Sequence, residues 1–123
     1  MDSVARHPPG ARDWLGANGA LCVATAIALS AYAAHAVQGH DQARLQLAAI
    51  MAFGHGLALA ALAPTTARRL GRTALLLAYA GMLLFCGSLV FAVLAGWPTA
   101  LAPFGGITMI GGWLVFAGDR LRG

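Results

Sequence analysis

The chain has 123 residues, of which 59% are hydrophobic and only 10% charged, with a mean hydropathy of +0.73 and a net charge of +4. A soluble domain carries about a quarter charged residues, and a domain this small leaves much of its surface exposed, so the composition argues against soluble, disordered and nucleic-acid-binding readings. What fits is one small integral membrane domain over residues 1–123.

Four apolar stretches, each about long enough to cross a hydrocarbon core of roughly 30 Å, predict helices at about 14–36, 45–63, 73–96 and 101–116. Strands are not expected, because open sheet edges in lipid leave backbone groups unpaired. Pro8, Pro9 and Gly10 break the N-terminal tail. Gly39 and Asp41 mark the first connection, Pro64 to Thr66 the second, and Gly96 to Thr99 the third. Pro98 and Pro103 lie near the start of the fourth helix, where a missing N–H costs little. Short connections make neighbouring helices antiparallel. The expected fold is therefore an all-α, integral membrane four-helix bundle.

All eight arginines and all four aspartates lie outside the apolar runs, as the cost of charge at the bilayer centre requires. With four spans, one side holds Arg6, Arg12, Arg68, Arg69, Arg72, Arg120 and Arg122. The other holds only Arg44, beside Asp41. This positive-inside bias predicts both termini in the cytoplasm, with Trp14 and Trp97 at the inner and outer interfaces. The pI near 10.1 is thus a topology signal, and no nucleic-acid partner is expected. A competing reading takes Arg6, Arg12 and the first apolar run as a secretory signal, cleaved after Ala33 or Ala36. That run is longer than the 7–15 residues of a signal core, which favours an uncut helix.

Small residues at every fourth position let helices approach closely in lipid. Such rows are Gly16-Ala20-Ala24-Ala28, Ala48-Ala52-Gly56-Ala60 and Ser88-Ala92-Gly96, with Gly87 adjoining the third. In the fourth helix Gly105 and Gly112 share a face, with Gly106 and Gly111 beside them. Placing each helix midpoint at the bilayer centre brings Thr25, His55, Ser88 and Thr108 within about one turn of a common depth. His35, Gln38, His40, Gln42 and Gln46 form an outer polar group. Cys22 and Cys86 differ in depth by roughly 9 Å, so no bridge is expected.

His55 has two readings: a proton-handling group or ligand near mid-membrane, or a neutral histidine that donates to Ser88, Thr108 or a carbonyl across the bundle and fixes helix register. Nothing acidic lies at its depth to raise its basicity, which favours the second. His35 reads as an interface residue at a helix end. A joint His35–His55 metal or haem site is disfavoured by a depth difference of roughly 16 Å. There is no G-x-S-x-G elbow, no phosphate loop and no acidic residue within a span. No enzyme activity and no cofactor is therefore expected.

Three segments taken together resemble a known family. Ser30-Ala31-Tyr32-Ala33-Ala34-His35 closes the first helix, and Leu84-Phe85-Cys86-Gly87-Ser88-Leu89 lies in the third. Ala102-Pro103-Phe104-Gly105-Gly106-Ile107-Thr108 leads to Gly111-Gly112-Trp113 in the fourth. In this order they resemble the small four-helix inner-membrane proteins of the YgdD/YwdK family (domain of unknown function 423), which includes the animal transmembrane protein 256-like proteins. His55 falls where that family carries a second-helix histidine. The resemblance implies a bacterial plasma-membrane protein with an uncut first helix, and no established activity. The expectation is a structural or accessory bundle whose partners are the lipid bilayer and either further copies or a larger membrane complex. The alternative is a small oligomeric channel or carrier using the polar residues around His55.

Overall fold

The computed structural model describes residues 12–122. Arg6, the Pro8-Pro9-Gly10 break and the tail of the signal-peptide reading lie outside these residues. Four helices, α1 (Trp14–Ala36), α2 (Gly39–Leu62), α3 (Arg69–Ala95) and α4 (Ala102–Leu121), account for nearly all of them, with a single 3₁₀ turn at Ala63–Thr65. Among the described residues there is no strand.

Three of the helix junctions have a clear local cause. Asp13 caps α1 by accepting a hydrogen bond from Gly16 N at 2.9 Å. Gly39, at φ +69°, turns the chain from α1 into α2 with only Val37 and Gln38 between them. Gly96 closes α3 in the left-handed region at φ +70°, and Trp97 N donates back to Phe91 O at 3.3 Å. Trp97 then stacks on Phe91 with ring centroids 4.9 Å apart, the apolar contact that commonly accompanies this stop.

Two helices extend beyond the expected spans. α2 begins at Gly39, six residues before Leu45, and α4 continues to Leu121, five residues past Phe116. Hydropathy locates the apolar part of a helix, whereas backbone hydrogen bonding carries the helix on through polar turns such as His40-Asp41-Gln42.

The helices form two tight hairpins. In the first, Gly19 meets Gly56, Ser30 meets Gln46 and Ala33 meets Gln42, one index rising as the other falls. In the second, Gly105 lies against Gly81 and Phe85, Gly112 against Ala78, and Asp119 against Gly71. Both pairs are therefore antiparallel. The hairpins join along α2 and α3, where Cys86 Sγ donates to Ala48 O at 3.3 Å. Two clusters fill the centre. One holds Ala26, Ala48, Ala52, Met82, Cys86, Leu89 and Met109, the other Leu15, Leu59, Ala63 and Leu75. The starts of α1 and α3 and the ends of α2 and α4 share one end of the molecule.

The glycine expectations divide. A Cβ on Gly56 would lie 2.6 Å from Gly19 O, and one on Gly105 2.5 Å from Phe85 N, so both are needed for close approach; Gly112 is equally enclosed. Gly87, Gly106 and Gly111 instead face open space among the described residues, so they pack no helix within this chain. In α1 the expected row is out of phase. Ala20, Ala24 and Ala28 are exposed, and Gly16 is buried only against the Asp13 cap. The packed row is Gly19, Ala26 and Ala33, spaced by seven, the repeat of left-handed helix packing.

Three helices, α1, α2 with its 3₁₀ turn, and α3, are long and apolar enough to cross a membrane. Their most apolar stretches are only 22%, 33% and 39% buried, so most of that apolar surface faces outward. α4 falls short of the same measure because Gly105, Gly106, Gly111, Gly112 and Asp119 dilute its hydropathy.

Candidate functional site

The polar residues of the bundle resolve into separate sites. Of the four expected at a common depth, Thr25 is exposed on α1, and Thr108 donates to Phe104 O of its own helix at 2.8 Å. Ser88 is buried on α3, and its hydroxyl makes no hydrogen bond among the described residues. The structure does not bring these three to His55.

His55 is held from two sides. Its Nδ1 donates to Met51 O one turn back at 2.9 Å, and its Nε2 accepts from Trp113 Nε1 on α4 at 3.0 Å. A carbonyl accepts only, and an indole N–H donates only, so the two contacts together select the neutral Nδ1–H tautomer. Protonating Nε2 would set two N–H groups against each other. The imidazole thereby joins α2 to α4, but as the acceptor: the expected donation across the bundle is not what forms, and its only donated bond stays within α2. The rings lie 5.8 Å apart, and Phe116 packs edge-on against Trp113 at 5.7 Å. An apolar cleft of about 420 Å³ opens beside the pair, lined by Met51, Phe85, Gly106, Met109 and Ile110 among others.

A matching link joins α1 to α3: Tyr79 OH donates to Asn18 Oδ1 at 3.1 Å. Asn18 in turn donates from Nδ2 to Trp14 O at 2.7 Å. Cys22 and Cys86 are both free and line the cleft next to this pair.

At the other end of α1, Ser30 donates to Gln46 Oε1 at 3.2 Å, and Gln42 Nε2 donates to Ala33 O at 3.1 Å. His35 stays exposed and takes no part, because Gln42 already meets a terminal carbonyl of the helix. His35 lies beyond the Ala33–Gln42 contact, so about 20 Å of α2 separates it from His55.

The most densely bonded polar cluster lies where the α2–α3 connection meets the end of α4. Thr66, buried, donates to Leu62 O at 2.7 Å and accepts from Arg120 Nη2 at 3.4 Å. Arg72 Nη1 bonds Thr66 O at 3.1 Å and Ala63 O at 3.3 Å. Arg68 Nη1 bonds Asp119 O at 3.1 Å and stands 3.6 Å from Asp119 Oδ1. The Asp119 side chain is 5% exposed, and it fits only because Gly71 has no Cβ, which would lie 2.8 Å from Oδ2. Sequence reasoning placed Asp119 outside the apolar runs, beyond the fourth helix, whereas α4 continues through it and buries it. Its signal was present in the spacing, since Gly105, Gly112 and Asp119 recur every seven residues on the face of α4 that meets α3. Trp113 also carried a signal: an indole N–H within an apolar helix needs an acceptor, and His55 supplies one.

The geometry defines an all-α chain of two glycine-seamed hairpins, with three helices of membrane-crossing length and its interior polar groups tied mostly to one another or to backbone. Residues 29–112 match the family described as Protein of unknown function (DUF423), and the chain belongs to that family. The match contains all three motif segments up to Gly112. No curated protein and no solved structure matches the chain.

Proposed function

We propose that this chain is a non-enzymatic bundle of the bacterial inner membrane that acts as a structural or accessory subunit, through helix contacts with a second copy or a larger membrane complex. All four helices cross the bilayer, α4 travelling as the partner of α3, and both termini lie in the cytoplasm. The arginine asymmetry supports this orientation: the end carrying the termini holds Arg12, Arg68, Arg69, Arg72, Arg120 and Arg122, the other only Arg44. The exposed Trp14 and Trp97 suit the two interfaces.

One observation carries the reading. Some glycines are spent inside the bundle, whereas others, among them Gly54, Gly87, Gly106 and Gly111, stand beside open space, and Ala20, Ala24 and Ala28 lie exposed on α1. Helices associate in lipid through such small-residue surfaces, so these are faces for a further helix. Replacing Gly54 or Gly106 with Leu should leave the fold intact and abolish association, read by size-exclusion chromatography with light scattering and by cross-linking in native membranes. A wild-type chain that is a lone monomer in both assays would refute the proposal. A proteoliposome flux lost in folded His55→Leu would replace it with the carrier reading.

A further inference from the structure

We propose that the arginine cluster around Thr66 is a binding site for the phosphate headgroup of an anionic phospholipid. The inference rests on the membrane placement given above and adds a ligand to it. Two guanidinium groups from separate segments reach one turn, Arg72 to Thr66 O and Arg120 to Thr66 Oγ1, and a third, Arg68, bonds Asp119 next to Arg120. Each makes its inward bonds through a single terminal nitrogen, Nη1 of Arg68 and Arg72 and Nη2 of Arg120. The remaining N–H donors of each planar fork suit the oxygens of a phosphate, which guanidinium binds in pairs.

Charge that only sets topology needs no fixed geometry. Here Arg72 is fastened across two carbonyls, and Arg68 across both the carbonyl and the carboxylate of Asp119. The nearby acids offset only part of the charge: Asp13 and Asp119 stand against Arg12, Arg68, Arg69, Arg72, Arg120 and Arg122, which leaves a clear positive excess at this end. Arg69 and Arg122 are exposed and add to the field. At the opposite end Arg44 pairs with Asp41 at 3.6 Å, so no such excess exists there.

A lipid is favoured over a free anion by what adjoins the cluster. Arg120 lies over the Phe116 ring at 4.7 Å, and Leu70 and Leu121 are exposed beside the arginines. A phosphodiester held by the arginines could lay its acyl chains along these residues. Each arginine near an anionic surface contributes about a five-fold gain in binding.

The test is native mass spectrometry of the full chain in mild detergent with equimolar phosphatidylglycerol and phosphatidylcholine. Phosphatidylglycerol should be retained at least about ten-fold over phosphatidylcholine. Arg72→Gln should lower that preference about five-fold. Arg120→Gln should do likewise, and it keeps the test valid if Arg72→Gln fails to fold. Arg44→Gln should leave the preference unchanged. Equal retention of the two lipids, or an equal loss on Arg44→Gln, would overturn the inference. Inorganic phosphate displacing phosphatidylglycerol at equal concentration would overturn the lipid assignment in favour of a soluble anion. Membrane fractionation separates the two layers of argument. A chain that sediments with membranes but shows no lipid preference refutes this site alone, whereas one that stays in detergent-free buffer refutes the membrane placement first.

Discussion

Two Gly→Ala substitutions, one turn of chemistry identical and the surroundings opposite, should differ in sign. At Gly56 the added methyl would stand 2.6 Å from Gly19 O and 3.0 Å from Cys22 Cβ. The first obstacle is backbone and cannot rotate away, so α1 and α2 must separate by roughly 0.8 Å to restore ordinary contact at about 3.4 Å. Overpacking of this kind costs about 1–3 kcal/mol, and a backbone obstacle puts Gly56→Ala near 3. At Gly106 nothing lies within 4 Å among the described residues, and the helix gains about 0.5–1 kcal/mol from Ala replacing Gly. The two variants should therefore be separated by about 3–4 kcal/mol. Reversible unfolding in mixed micelles, followed by circular dichroism, measures the difference. Equal stabilities would refute the argument that Gly19 and Gly56 set the hairpin spacing.

Further tests address the polar links. Trp113→Phe should destabilise the bundle by about 0.6–1.7 kcal/mol, the range for interhelical hydrogen bonds in membranes, and a double-mutant cycle with His55→Leu should recover most of that as coupling. Nitrogen chemical shifts should show His55 protonated at Nδ1 alone in wild type, and in Trp113→Phe the same tautomer, still held by Met51 O, with the Nε2 shift moved by the loss of its donor. Asp119→Asn keeps the shape beside Gly71 but removes the charge facing Arg68. Because the Arg68 side chain is 51% exposed, the loss should be about 1 kcal/mol or less, well short of a fully buried pair, as thermal unfolding will show.

The sequence was legible where residue type alone decides the outcome. Helix existence follows from apolar length, and the α3 stop from Gly96, so both agree with the structure. Helix phase was harder. α1 is so uniformly apolar and small that Gly16-Ala20-Ala24-Ala28 and Gly19-Ala26-Ala33 are equally good rows by composition, and only the position of Gly56 on the partner selects the second. In α2 the phase of the expected row agrees with the structure, where Ala48, Ala52 and Gly56 are buried against the neighbouring helices. Depth matching grouped Thr25, His55, Ser88 and Thr108, yet equal depth does not fix azimuth. Thr25 and Thr108 turn away from His55, whose partner is instead Trp113, one and a half turns past Thr108. The Thr66–Asp119 cluster joins residues more than fifty positions apart, a distance at which one sequence offers only the seven-residue repeat in α4 as a hint.

Met82 can tell whether lipid is the reference against which this interior is stable. It is 1% exposed and sits in the cluster that gathers Ala26, Ala48, Ala52, Cys86, Leu89 and Met109 from all four helices. In a soluble core, Met→Ala costs about 2–5 kcal/mol, a sum of lost transfer from water and the cavity left behind. If the helices separate into lipid, the thioether chain is as well solvated there as in the bundle, and the transfer part vanishes. Only the lost packing remains, which puts Met82→Ala at about 1–2 kcal/mol. Leu77, 38% exposed on the outer side of α3, should cost close to nothing when replaced by Ala for the same reason. Steric-trapping measurements in bilayers supply both numbers. A Met82→Ala cost of 4–5 kcal/mol would mean that transfer from water still drives this packing, and the bundle's surroundings would then not be the hydrocarbon its outward faces call for.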